Sequence, residues 1–153
     1  MIYIGIDPGK KGGVATISED GVKVYQWDDQ RFIEDMRQHA NWLDKCVAAV
    51  EKVGAFSGQG VKSMFSFGHS LGFIEGVLSG LGIPYQLIPP VTWKRSFSLI
   101  GKDKKASIET CQKLFPELNL MATEKSRVPS DGMAESTLLA CYAMRHFGEG
   151  NVE

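Results

Sequence analysis

The sequence predicts an α/β fold whose sheet starts as an antiparallel meander and continues with parallel strands. Three observations carry that prediction. The opening, MIYIGIDPGKKGGVA, sets an apolar run (Ile2, Ile4, Ile6) against a Pro-Gly turn and a second β-favouring stretch, Val14 to Ile17. Glu19-Asp20-Gly21 then turns the chain into a third strand through Val22, Val24 and Tyr25. After a helical stretch comes Cys46-Val47-Ala48-Ala49-Val50, a continuous apolar run that suits a central strand buried on both faces and paired parallel to the first.

The elements follow in order. Asp7 stands at the end of the first strand, where Pro8 favours an extended conformation and Gly9 lets the chain turn through Lys10 and Lys11. From about Gln30 to Trp42, Phe32, Ile33, Met36 and Trp42 form a rough helical stripe. Glu51 ends the fourth strand as Asp7 ends the first. A loop, GAFSGQGVK, carries Phe56 and leads to a long helix through Phe65, Phe67, Leu71, Ile74 and Leu78, with Ser63 as the expected N-cap. Gly68, Gly72 and Gly76 repeat at helical spacing in it, a pattern that suits close approach of another element. Tyr85 to Ile88 is the fifth strand, closed by Pro89-Pro90. A basic stretch follows (Lys94, Arg95, Lys102, Lys104, Lys105), with Trp93 and Phe97 interleaved in a way that suits a phosphate backbone. A helix from about Lys104 to Phe115 ends at Pro116, and Asn119 to Ser130 is a polar loop. The last helix runs from Ser130 or Asp131 to about Phe147, with Ser130 as its cap.

Composition narrows the class. With 153 residues, 43% hydrophobic and 23% charged, the chain suits one globular domain, residues 1–153. The net charge of −1 does not announce a nucleic-acid binder, so the local basic stretch says more than the total. No apolar run approaches the ~20 residues of a membrane span, and no signal pattern precedes the first strand. Cys46, Cys111 and Cys141 are widely spaced and read as reduced core thiols, which fits a cytoplasmic protein.

The chemistry is expected from four acids. Asp131 and Glu135 are four apart and share one face of their helix, near an N-terminus that favours negative charge. With Asp7 and Glu51 they make a set placed at strand ends and a helix start. Singly, each has an ordinary explanation: a turn aspartate, a solvated strand end, helix-start chemistry, an exposed helical residue. Together they ask for a cation, and oxygen-only ligands suit Mg²⁺ or Mn²⁺. Four acids can hold two ions roughly 3.5–4 Å apart, the arrangement used in phosphodiester cleavage.

The ordered set of motifs resembles the RuvC-type Holliday junction resolvases, of the kind found in bacteriophages, within the ribonuclease H-like and retroviral-integrase superfamily. The resemblance runs over nearly the whole chain: IGIDPG, VEKVGAFSGQG, SMFSFGHSLGFIEG, PPVTWK and SDGMAES. It implies a ribonuclease H-like mixed five-stranded sheet, three antiparallel strands then two parallel, flanked by helices. It also implies a homodimer that nicks two strands of a four-way DNA junction with divalent metal and water, leaving 5′-phosphate and 3′-hydroxyl ends. The catalytic and metal-binding acids would be Asp7, Glu51, Asp131 and Glu135, with Lys105 catalytic as well. Lys94 and Lys105 fall where the bacterial enzymes carry basic residues important to activity. DNA contact is expected from Lys10, Lys11, Phe56, Lys62, Lys94, Arg95, Lys102, Lys104 and Lys105. One departure stands out: the bacterial pattern spaces its last two acids by three, both aspartates, whereas here the spacing is four and the second is glutamate. The pattern therefore leaves open which of Asp131 and Glu135 binds metal more directly.

The function expected is metal-dependent cleavage of Holliday junctions and related branched DNA, in recombination and repair. Two alternatives share parts of the pattern. An actin-like or sugar-kinase ATPase also ends its first strand in Asp before a glycine-containing turn, but needs two such domains. A catalytically idle branched-DNA-binding module would not need all four acids. His39 reads as a surface residue, His69 as structural or DNA-facing, and His146 as a partner of its helix dipole.

Overall fold

The first strand lies in the middle of the sheet, and the remaining elements are layered around it. In this computed structural model, residues 1–41, 45–52, 54 and 57–148 are described. The elements are β1 (Ile2–Asp7), β2 (Gly13–Ser18), β3 (Gly21–Gln26), α1 (Asp29–Asn41), β4 (Cys46–Glu51), α2 (Val61–Gly80), β5 (Tyr85–Ile88), α3 (Pro90–Ser96), α4 (Lys104–Leu114) and α5 (Asp131–His146). The five strands are ordered β3-β2-β1-β4-β5. β1, β2 and β3 pair antiparallel, whereas β1–β4 and β4–β5 are parallel. This is the ribonuclease H-like mixed sheet expected from the sequence.

Strand alternation divides the interior into two layers. Ile2, Ile4 and Ile6 of β1 face one side, where Phe32 and Met36 of α1 and Ile74 and Leu78 of α2 cover them. The opposite face receives α5, α4 and α3, with Ala49, Trp93, Cys111, Leu138 and Leu139 at its centre. α5 is buried all round from Gly132 to Ala143, as befits a helix lying on the middle of a sheet. Its close approach depends on Gly5: a Cβ there would lie 2.0 Å from the Ser136 carbonyl oxygen and 2.2 Å from the Ala140 nitrogen. Gly132 does the same at the helix start, where a Cβ would stand 2.0 Å from the carbonyl oxygen of Lys11.

Five expectations change. α2 starts at Val61 with Gly60 as its N-cap and no side-chain cap bond, so Ser63 lies inside the helix. Pro89-Pro90 does end β5, but Pro90 also opens the short helix α3, a first-turn position that suits proline's fixed φ. Trp93 is not interleaved with solvent-facing cations: the helix turns it into the core at 0% exposure, while Lys94 and Arg95 stay outside. His39 is mostly covered and pairs with Asp35 at 3.2 Å, so it is no simple surface residue. The glycine stripe of α2 meets nothing: a Cβ at Gly68, Gly72 or Gly76 would find no atom within 4 Å. Trp42, expected at the end of the first helix, lies outside the described residues. Cys46, Cys111 and Cys141 are free thiols, and no described helix is long and apolar enough to cross a membrane.

Candidate active site

Register brings the first two acids together. β1 and β4 run parallel with Ile6 opposite Val50, so Asp7 and Glu51 end neighbouring strands at the same level. Both lie on the face that receives α5, because the alternation that sends Ile6 and Val50 to one side sends Asp7 and Glu51 to the other. α5 supplies the rest. Ser130 caps it by accepting from the Met133 N–H at 3.1 Å, which fixes the first turns carrying Asp131 and Glu135.

Asp7, Glu51 and Glu135 each offer a carboxylate oxygen within 4.8 Å of the other two. Glu135 is 8% exposed, an unusual degree of burial for a glutamate. Asp131 belongs to the same neighbourhood but is turned aside, with Oδ2 3.1 Å from Lys104 Nζ. Of the two α5 acids whose roles the sequence left open, Glu135 is the one that joins Asp7 and Glu51.

The electrostatics follow from that crowding. Burial, then the charges of Glu51, Glu135 and Asp131, push the Asp7 carboxyl well above the ordinary carboxylate range, with Lys104 pulling back. Burial also raises Glu51, against the hydrogen bond from Trp93 and the charge of Lys94. Glu135 is raised by burial and then by Glu51, with Lys94 and a bond from Ser107 opposing. Asp131 in turn holds the Lys104 ammonium above the usual lysine value. Three carboxyls, one buried and two partly buried, pushed toward their neutral forms are costly to ionise together, and a multivalent cation between them removes that cost. An all-oxygen donor set on three rigid elements fits a hard divalent ion.

The basic residues surround this acid cluster unevenly. Lys94 on α3 acts on both Glu51 and Glu135 through its charge and lies with Nζ 5.5 Å from the Trp93 ring centroid. At the start of α4, Lys104 makes the contact with Asp131, whereas Lys105 is exposed on the next position of the helix. Lys10 and Lys11 are exposed in the turn after β1, as are Arg95 and Lys102 around α3 and Lys62 in the first turn of α2. Phe56 lies outside the described residues.

Sequence reasoning passed over two side chains that hold the acids. Trp93 Nε1 donates to Glu51 Oε2 at 2.7 Å, and Ser107 Oγ donates to Glu135 Oε1 at 3.3 Å. The first had no local signal, because α3 spans only seven residues and shows no periodic stripe. For the second the signal was Asp103, whose side chain caps α4 by accepting from Ala106 N–H at 3.0 Å and so sets Lys104 and Ser107 on one face.

No family model matches the sequence, and no curated protein does. Solved structures do match. A T. thermophilus RuvC in complex with a Holliday junction substrate aligns at TM-score 0.60 and 13% identity, over 99% of this chain and 97% of that one. A second Thermus thermophilus RuvC structure aligns at TM-score 0.55 and 16% identity, over 95% and 96%. The chain therefore has the RuvC-type resolvase fold.

Proposed function

We propose that this protein is a divalent-metal-dependent endonuclease that resolves Holliday junctions and related branched DNA. The observation that carries the reading is the meeting of Asp7, Glu51 and Glu135, from β1, β4 and α5, at one end of a RuvC-type sheet. The junction bound to the Thermus protein on the same fold supports branched DNA as the substrate class.

Asp7, Glu51 and Glu135, with Asp131 beside them, would hold Mg²⁺ or Mn²⁺, two ions per site. Bound there, such ions supply an activated water and stabilise the departing 3′-oxygen. Asp7, whose carboxyl feels the charges of Glu51, Glu135 and Asp131, would be the acid on which metal binding depends most. Asp131 would join the ligand set if its ion pair with Lys104, whose side chain is 79% exposed, gave way to the metal. Lys94 and Lys105, with Lys10, Lys11, Lys62, Arg95, Lys102 and Lys104, would neutralise phosphates and set the scissile strand in register, as backbone contacts do. Phe56 would contribute to DNA contact.

The working form would be a homodimer, whose isologous symmetry presents two sites to two strands. α2 suits the contact. Phe65 is 76% exposed, and Gly68, Gly72 and Gly76 leave its backbone open to a second copy.

The test is nicking of a labelled four-way junction with Mg²⁺, run beside a replication fork and plain duplex. Paired cuts in the junction, absent with EDTA and with Asp7→Asn while binding persists, are expected. Wild-type rates from Asp7→Asn would overturn the site. Binding without any cutting by wild type would make the protein an idle branched-DNA module instead.

A further inference from the structure

We infer that Trp93 is a positioning residue for the metal-holding carboxylates: its indole N–H fixes Glu51 in the orientation that faces Asp7 and Glu135. The inference rests on the metal-dependent reading above. Trp93 is wholly enclosed on α3, in the core cluster that also holds Ala49, Ile88, Leu99, Met133 and Leu138. An indole N–H shut among such side chains needs an acceptor, and the one it has is Glu51 Oε2 at 2.7 Å. At that length the bond is well formed, and it strengthens when the carboxylate is ionised, as it would be on a metal.

The direction of the effect follows from stiffness. Glu51 ends its strand on a flexible side chain, whereas the Trp93 ring is wedged in the core and contacts Phe97 edge-on at 6.5 Å between centroids. The ring therefore places the carboxylate, and a carboxylate held by one donor keeps acceptor capacity that an ion could use. Glu135 has a weaker counterpart in Ser107, at 3.3 Å and through a hydroxyl that rotates. Donors behind a metal ligand commonly change metal affinity by about 10–100-fold when removed.

The experiment measures Mn²⁺ affinity of the full chain by the EPR signal of free ion, together with metal-free melting. Two changes are compared: Trp93→Phe, and replacement of Trp93 by β-(3-benzothienyl)alanine, which keeps the bicyclic shape but has sulfur where the indole has N–H. The benzothienyl protein is expected to melt within a few degrees of wild type without metal and to bind Mn²⁺ at least ~10-fold more weakly. Wild-type Mn²⁺ affinity in the benzothienyl protein overturns the inference, even if Trp93→Phe binds weakly, since loss of packing alone would then account for the phenylalanine. Failure of wild type itself to bind Mn²⁺ sinks the metal-site reading and this inference with it. The two failures are thereby distinct.

Discussion

Removing the central acid should stabilise the metal-free protein while destroying its response to metal. In Asp7→Asn one carboxylate of the three that lie within 4.8 Å becomes a neutral amide of the same shape. Two full charges 4.8 Å apart repel by about 3.5 kcal/mol at an effective dielectric of about 20. Asp7 faces two such neighbours. Burial raises Asp7, Glu51 and Glu135, and the charges of the neighbouring acids raise Asp7 and Glu135 further, so the metal-free site favours proton uptake. The sign follows from proton uptake. The folded state binds protons that the unfolded chain has released, so the stabilisation is present below the ordinary carboxylate range near pH 4. It is lost as pH rises through the raised folded values. In EDTA, wild type should therefore melt at a lower temperature at pH 8 than at pH 5.5. Asp7→Asn should gain about 1–3 kcal/mol at pH 8, a fraction of the full repulsion, or about 3–9 °C for a chain of this size. Saturating Mn²⁺ should reverse the order at pH 8 by raising wild type alone. Differential scanning calorimetry in EDTA and in Mn²⁺ at both pH values reads all of this. An Asp7→Asn protein no more stable than wild type at pH 8 in EDTA, or raised by Mn²⁺ as much as wild type, would refute the reasoning.

Three further perturbations have definite directions. Lys105→Ala should reduce the slope of log binding constant against log salt on a four-way junction by about one, measured by fluorescence anisotropy; an unchanged slope removes Lys105 from the interface. Gly5→Ala forces a methyl to 2.0 Å from the Ser136 carbonyl oxygen, backbone that cannot yield as a side chain would. The loss should reach or exceed the upper end of the ~1–3 kcal/mol typical of overpacking, and a urea midpoint within error of wild type would contradict the packing described. Phe65→Glu places a charge on the exposed face of α2 and should yield a monomer by light scattering, whereas a persistent dimer would move the interface elsewhere.

Much of the architecture was legible because strand alternation and turn chemistry are local. Ile2, Ile4 and Ile6 face one layer and leave Asp7 on the other, and the continuous run Cys46–Val50 marks a strand buried on both faces. What local pattern could not resolve was direction on short or uncapped helices. α3 has seven residues, too few for a periodic stripe, so Trp93, followed directly by Lys94 and Arg95, looked like surface although packing turned it inward. α2 begins without a side-chain cap, which made Ser63 the more attractive start. At α4 a single position of helical phase separates Lys104, which reaches Asp131, from Lys105, which does not share that contact. The difference between Asp131 and Glu135 is tertiary as well: it depends on α4 lying beside α5 and supplying a cation to one acid and a hydroxyl to the other.

The position of α5 has a consequence for biosynthesis. This helix is translated after every strand, yet it covers the centre of the sheet and brings Glu135 to Asp7 and Glu51. A ribosome-bound chain that has emerged only as far as β5 holds two of the clustered acids and lacks the third. The polypeptide thus completes its acid cluster only when its hydrophobic interior closes, and a truncated or misfolded copy lacks that cluster.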